Sequence, residues 1–389
     1  MWFFRCPEIS FGEDALTQLA LIQGKRAFIV TDPVIQKLGF VAVVQEQLAA
    51  AGLESQVFAE VEPDPSLQTV RRGAAQMLAY GPDWIIGLGG GSSMDAAKAM
   101  WIHYERPDIE PEAINPFEPL GLRQKARLIC IPTTAGTGSE AGYGIILTDT
   151  ENARKLTLGS PEATPDMAIV DPYFTAQLPR QVTADTGIDV LTHAMEAYLA
   201  TWANDFTDGL CLQAMRLVFN YLPRAVANGH GDNEAREKMA NAATIAGMVL
   251  GNSSVALAHA LGHSAGALFH QLPHGRITAI FLPYTLQYVA NGGNGRFQDI
   301  ANALLLPAAS ETEAAANVVQ AIFNLLETTG LPGSLQAAGI LEDQFVEMLP
   351  IMVEHVEMDA NLLMSPRIPD TAEVEKLLQY AFNGRPIDF

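Results

Sequence analysis

Near residue 180 the hydrophobic patterning of the chain changes in kind, and that change limits what the chain can fold into. Upstream, short apolar runs alternate with amphipathic stretches. R-A-F-I-V-T, S-Q-V-F-A-E-V, D-W-I-I-G-L and R-L-I-C-I-P read as strands. Between them, L-Q-T-V-R-R-G-A-A-Q-M-L-A-Y repeats its apolar residues at helical spacing. In D-P-V-I-Q-K-L-G-F, Asp32 reads as a helix N-cap and Pro33 as the first helical residue. Strands spaced by helices predict a parallel sheet covered on both faces. Downstream, strand-like runs become scarce. Helical stretches rich in Ala, Leu and Met take over at 184–200, 207–228, 234–250, 254–269 and 312–329. A length of 389 residues suits two domains. The expectation is an α/β domain over 1–180 and an all-helical domain over 181–389, parting near Pro179. A cleft between them is the default place for a site.

Composition narrows the function. Hydrophobic residues make up 49% and charged residues 17%, which is a chain with large cores and no disordered character. A formal net charge of −21 argues against nucleic-acid or anionic-membrane partners. No apolar run approaches the ~18 residues of a membrane span. The start, M-W-F-F-R-C-P-E, lacks the basic-then-apolar layout of a secretory signal. Cys6, Cys130 and Cys211 are far apart, match no zinc spacing and read as reduced thiols. A cytoplasmic location is expected.

Two segments carry nucleotide-binding chemistry. In W-I-I-G-L-G-G-G-S-S-M-D-A-A-K a buried strand runs through Gly89, Gly90 and Gly91 into a helix. Without Cβ atoms these positions admit a pyrophosphate, and Ser92 and Ser93 are placed to cap a helix whose N–H groups attract anions. The spacing is neither G-x-G-x-x-G nor a P-loop, so a plain tight turn is the competing reading. Asp32, at the end of the first strand, could accept hydrogen bonds from an adenosine ribose and would repel a 2′-phosphate. Simple N-capping explains it equally well, and the two roles are compatible. I-P-T-T-A-G-T-G-S-E sets Thr133, Thr134, Thr137 and Ser139 after another strand, where small hydroxyls can bind a nicotinamide carboxamide or ribose.

The histidines are clustered. Only 8 occur in the chain, yet His259, His263 and His274 fall within H-A-L-G-H-S-A-G-A-L-F-H-Q-L-P-H-G. Asp189 and His193 sit four apart on a helix with a buried stripe of Ile188, Leu191, Met195 and Tyr198. A carboxylate with several imidazoles and no thiolate suits Fe²⁺, Zn²⁺ or another divalent ion that accepts N and O ligands. His270 reads as a loop or outer contact, and His103, His230 and His355 as isolated surface or core residues.

Taken in order, G-G-G-S-S-M-D-A-A-K, I-P-T-T-A-G-T-G-S-E, T-G-I-D-V-L-T-H-A-M-E-A-Y and H-A-L-G-H…P-H-G make the chain resemble the iron-containing, group III alcohol dehydrogenases over essentially its whole length. The resemblance implies a dehydroquinate synthase-like fold: an N-terminal dinucleotide-binding α/β domain with a parallel sheet, then an all-helical domain. It implies Asp189, His193, His259 and His274 as ligands of Fe²⁺, and His263 beside the nicotinamide as a proton relay. It implies Gly89, Gly90, Gly91 and Ser92 on the pyrophosphate, Thr133 and Thr134 lining the cofactor site, Lys155 on the ribose and Asp32 favouring NAD. A homodimer or higher homo-oligomer is expected. Two features depart from the pattern: Gly142 stands where a Thr is common, and the stretch from His263 to His274 is one residue longer.

The reaction so implied is hydride transfer between an alcohol or aldehyde and NAD, assisted by a metal acting as a Lewis acid. A polyol dehydrogenase of the glycerol type is the near alternative. A lyase like dehydroquinate synthase would want several Lys and Arg for a sugar phosphate, and these motifs hold almost none. A non-catalytic nucleotide-binding protein would not need the metal-ligand set.

Overall fold

A computed structural model describes residues 3–152 and 154–389. The chain divides into two compact units, Met1–Gln177 and Leu178–Phe389.

The first unit contains β1 (Glu8–Phe11), β2 (Arg26–Val30), α1 (Pro33–Lys37), α2 (Phe40–Ala50), β3 (Glu54–Phe58), α3 (Leu67–Tyr80), β4 (Trp84–Gly89), α4 (Gly91–Glu105), β5 (Arg127–Pro132), β6 (Gly144–Asp149), β7 (Arg154–Gly159) and β8 (Met167–Val170). Six strands form one sheet in the order β1-β8-β5-β4-β2-β3, and every neighbouring pair is parallel. Strands β6 and β7 make a separate antiparallel hairpin. The period-2 alternation of a strand divides the apolar residues between two cores. Phe28, Val30, Ile85, Leu128 and Cys130 pack on one face with Val70, Met77 and Trp101 of α3 and α4. Ala27, Ile29, Ile86, Leu88, Ile129 and Ile131 pack on the other with Val41, Val44 and Leu48 of α2. The chain runs from β2 to β3 on one side, then returns to place β4 on the other side of β2. That reversal is a topological switch point, where a crevice opens beyond the carboxyl ends of the strands. Gly89 ends β4, and Asp32 and Thr133 follow the strands on either side of it, β2 and β5.

The second unit contains α5 (Arg180–Leu199), α6 (Asp205–Asn228), α7 (Asn233–Leu250), α8 (Leu257–Gly266), α9 (His274–Asn291), α10 (Phe297–Ala303), α11 (Glu311–Thr329), α12 (Glu342–Met358) and α13 (Thr371–Asn383). Helix α5 is its axis. Every residue from Gly187 to Leu199 is buried, and the helix packs on α6, α7 and α9. A helix enclosed on all sides needs no single apolar stripe. The expected stripe of Ile188, Leu191, Met195 and Tyr198 is buried, but so is the face between. Among the described residues no helix is long and apolar enough to cross a membrane.

The four expected strands appear as β2 to β5, and the expected helices near residues 184, 207, 234, 254 and 312 as α5 to α8 and α11. Strands β1 and β8 were not anticipated: each has four residues, too short to show alternation. Helix α9 was also missed, because it opens on P-H-G, which reads as a turn, and holds Pro283 in its interior.

Candidate functional site

Asp189, His193 and Glu196 lie on one face of α5, spaced by four and three residues. His259 comes from α8, and all four side chains are buried. One ligand atom each from Asp189, His193 and His259 lies within 4.8 Å of the others, the one such group of His, Cys, Asp or Glu among the described residues. His193 Nε2 is 3.6 Å from Asp189 Oδ2, and His259 Nε2 is 3.9 Å from Asp189 Oδ1. The two imidazoles stack with centroids 4.9 Å apart.

Hydrogen bonds aim the ligand atoms. The Thr278 hydroxyl donates to Asp189 Oδ1 at 3.0 Å. Glu196 Oε2 is 2.5 Å from His259 Nδ1, and Glu196 Oε1 accepts the Ala258 N–H at 2.5 Å. His259 Nε2 and His193 Nδ1 are then buried polar atoms with no hydrogen-bond partner. Such atoms are costly unless something else satisfies them. Burial, and then the neighbouring imidazole of His193, hold the His259 pKa well below the usual histidine value, so this ring is neutral. Burial pushes the Asp189 carboxyl up, but His193, His274, His259 and the Thr278 hydroxyl together hold it below the usual carboxylate value. Burial pushes Glu196 up to about 7 against the pull of backbone N–H groups at Ala256 and Ala258. A dry carboxylate, two imidazoles and an unpartnered Nε2 form a donor set that fits a divalent transition metal.

Helix α9 begins at His274, and its start is pressed onto α5. A Cβ on Gly275 would lie 2.2 Å from the Asp185 carbonyl oxygen and 2.9 Å from the Asp189 Cβ. Only glycine permits that approach. Arg276 reinforces it with a two-pronged ion pair to Asp185 at 2.8 and 2.9 Å. His274 itself is exposed, with its ring centroid 5.5 Å from that of His259. It stands beside the close group of three without belonging to it.

His263, one turn beyond His259, is half-buried and stacks on His274 with centroids 5.4 Å apart. Its Nδ1 lies 2.7 Å from Asp359 Oδ2. The other Asp359 oxygen accepts the Asn361 N–H at 2.8 Å, which fixes the carboxylate. Burial pushes Asp359 up, but the His263 hydrogen bond outweighs it and the net shift is downward. His270 is exposed in the turn between α8 and α9.

In the first unit the nucleotide candidates gather at the switch point. Gly89 has φ +148°, and a Cβ there would strike Ser93 Oγ at 2.5 Å. The expected capping by Ser92 and Ser93 is not seen. Helix α4 begins at Gly91, so both serines sit inside its first turn, and Gly90 is an N-cap without a side-chain hydrogen bond. The Ser93 hydroxyl instead donates to Asp32 Oδ2 at 3.2 Å, and Ser92 Oγ accepts the Asp64 N–H at 3.3 Å. An uncapped first turn leaves backbone donors for an anion. Asp32 Oδ1 accepts the N–H groups of Val34 and Ile35 at 2.8 and 3.0 Å, so it caps α1 as expected. The Thr133 N–H donates to the Gly89 carbonyl at 2.9 Å, which ties the two loops together. Lys155 pairs with Asp64 at 2.9 Å.

Several of these contributors escaped the sequence reading. Asp95 and Lys98 are both buried, and each bonds the Ser139 hydroxyl, at 2.6 and 2.7 Å. They clamp the loop after β5 onto α4. Glu196 could have been found from its three-residue spacing after His193. Asp359 lies 96 residues from His263, and no local pattern points to it.

Comparison with known proteins agrees over the length of the chain. A family model described as iron-containing alcohol dehydrogenase matches residues 6–172, and one for the C-terminal part of that family matches 183–382. The chain is 39% identical to aldehyde-alcohol dehydrogenase 2 of Entamoeba histolytica across 98% of its own length and 46% of that protein. It therefore spans about half the length of that relative. It is 37% identical to the NADPH-dependent butanol dehydrogenase of Clostridium saccharobutylicum over the whole of both chains. Its structure superposes on that of a 1,3-propanediol oxidoreductase with a TM-score of 0.91, 34% identity and coverage of 98% and 100%.

Proposed function

Because the chain belongs to the iron-containing alcohol dehydrogenase family, we propose that it interconverts alcohols and aldehydes or ketones by metal-dependent hydride transfer with NAD(H). The observation that carries this reading is the buried meeting of Asp189, His193 and His259 around the unpartnered His259 Nε2. On this reading those three residues and His274 hold Fe²⁺, with Zn²⁺ or another divalent ion as the substitute. Bound in their sites, the ion would supply Lewis acidity toward the substrate oxygen and the nicotinamide would accept or return the hydride.

The chain's own residues do the rest. The neutral His259 and ionised Asp189 present lone pairs without first losing protons. Gly89, Gly90, Gly91 and Ser92 leave room and backbone donors for a pyrophosphate at the start of α4. Thr133 and Thr134 line the nicotinamide side, and Lys155 approaches the ribose. His263, steadied by Asp359 through Nδ1, keeps Nε2 for the proton that an alcohol must release. The active form is a homo-oligomer, the location cytoplasmic, and the partner a small alcohol or aldehyde with neither nucleic acid nor membrane. The test is NADH formation with ethanol, propanol, butanol, glycerol, 1,2-propanediol and 1,3-propanediol, with and without chelator. Turnover of at least one alcohol, lost with chelator, supports the reading; no turnover with any of them, or indifference to the chelator, opposes it.

NAD is the preferred cofactor on this account, since the Asp32 charge opposes a 2′-phosphate. Because Asp32 also caps α1, glycine there would mix two effects. Asp32→Asn keeps an N-cap side chain and removes the charge. It is expected to raise the NADP-to-NAD ratio of kcat/KM by about 10-fold, or ~1.4 kcal/mol. A wild type already favouring NADP, as the butanol dehydrogenase relative's name suggests for that protein, would refute this role for Asp32.

A further inference from the structure

We infer that Glu196 is a positioning residue for the metal centre, which selects the His259 tautomer whose Nε2 can bind a metal. The inference rests on the reading of Asp189, His193 and His259 as metal ligands. An imidazole can ligate through Nε2 only if its proton sits on Nδ1. Two features place it there. Glu196 Oε2 lies 2.5 Å from His259 Nδ1, and Nε2 has no partner in a buried setting. The same carboxylate receives the Ala258 N–H on its other oxygen at 2.5 Å. Glu196 thus grips the backbone at the first turn of α8 and the ring that follows it.

The geometry calls for a carboxylate in particular. Two N–H donors approach two different oxygens, and only an acceptor at both ends satisfies them. Glutamine has the same shape but one acceptor. If its oxygen faces Nδ1, its NH₂ meets the Ala258 N–H donor to donor. If its NH₂ faces Nδ1, the ring must carry its proton on Nε2, where it blocks the metal. Either way the ligand loses a support. Carboxylates that hold metal-binding histidines in this manner typically contribute 10–100-fold to metal affinity.

The test is Glu196→Gln compared with wild type and His259→Ala at pH 8. Zinc affinity is measured by chelator competition, and fold by the thermal midpoint of the metal-free protein and by NADH binding. Glu196→Gln is expected to bind NADH as wild type does and zinc about 10–100-fold more weakly. Zinc-loaded wild type carrying ¹⁵N-histidine is expected to show His259 protonated at Nδ1 and hydrogen-bonded. Wild-type zinc affinity in Glu196→Gln, or a His259 Nδ1 without a proton, would overturn the inference. The NMR measurement decides the matter even if Glu196→Gln does not fold. Failure of the underlying reading looks different: wild type would bind no zinc, or His259→Ala would bind it as wild type does.

Discussion

His259→Ala and Asp189→Asn are expected to fold, to bind NADH, and to retain far less than one metal ion per chain. Their kcat/KM for an alcohol should fall by at least about 10³-fold, or ~4 kcal/mol, since Lewis-acid stabilisation is worth several kcal/mol. Binding of NADH survives because its candidate residues belong to the first unit, with a core of their own. Asparagine at 189 keeps the volume and the hydrogen bond from Thr278 but removes the one anionic ligand. Alanine at 259 deletes the unpartnered Nε2 and takes a donor away from the buried Glu196 carboxylate. Elemental analysis showing full metal in both variants would remove these residues from the ligand set.

His263→Ala should part company with His259→Ala, although the two residues lie one turn apart on α8. His263 is half-buried, lies outside the close ligand group, and is committed through Nδ1 to Asp359. Its loss is expected to leave the metal in place and lower kcat by about 10²–10⁴-fold, the usual contribution of general acid–base assistance. One limb of the pH–rate profile should flatten, and KM should change little. If His263→Ala instead loses metal to the same extent as His259→Ala, then His263 is a ligand. His274, exposed and beside the group of three, would be the first assignment to give up.

The sequence disclosed those parts of the protein whose signal is local. The buried runs of β2, β4 and β5 and the glycines after β4 lie within a few residues of one another, and so do Asp189 with His193 and His259 with His263. The contacts that orient them do not. Asp359 meets His263 across 96 residues, and Thr278 meets Asp189 across 89. The role of Gly275 depends on the approach of α9 to α5, which is decided by packing. Ser92 and Ser93 look like caps in the sequence because it shows where a helix starts only to within a few residues. With the N-cap at Gly90, two and three residues earlier, both serines become first-turn positions whose hydroxyls bond Asp64 and Asp32. Asp95 and Lys98 were in view in M-D-A-A-K, but a buried ion pair is recognisable only when the neighbouring loop supplies Ser139.

A metal titration of stripped protein probes the Asp189, His193 and His259 centre most directly. The enzyme is freed of metal by a chelator, and Fe²⁺ is returned in steps without oxygen while metal content, alcohol oxidation and NADH binding are followed together. The stripped protein is expected to show no turnover, with NADH affinity unchanged throughout. Activity should return in proportion to bound iron, with an end point at one ion per chain in wild type and no recovery in His259→Ala. Full alcohol oxidation by protein shown to be free of metal, or recovery in His259→Ala equal to that of wild type, would contradict a catalytic metal at this centre.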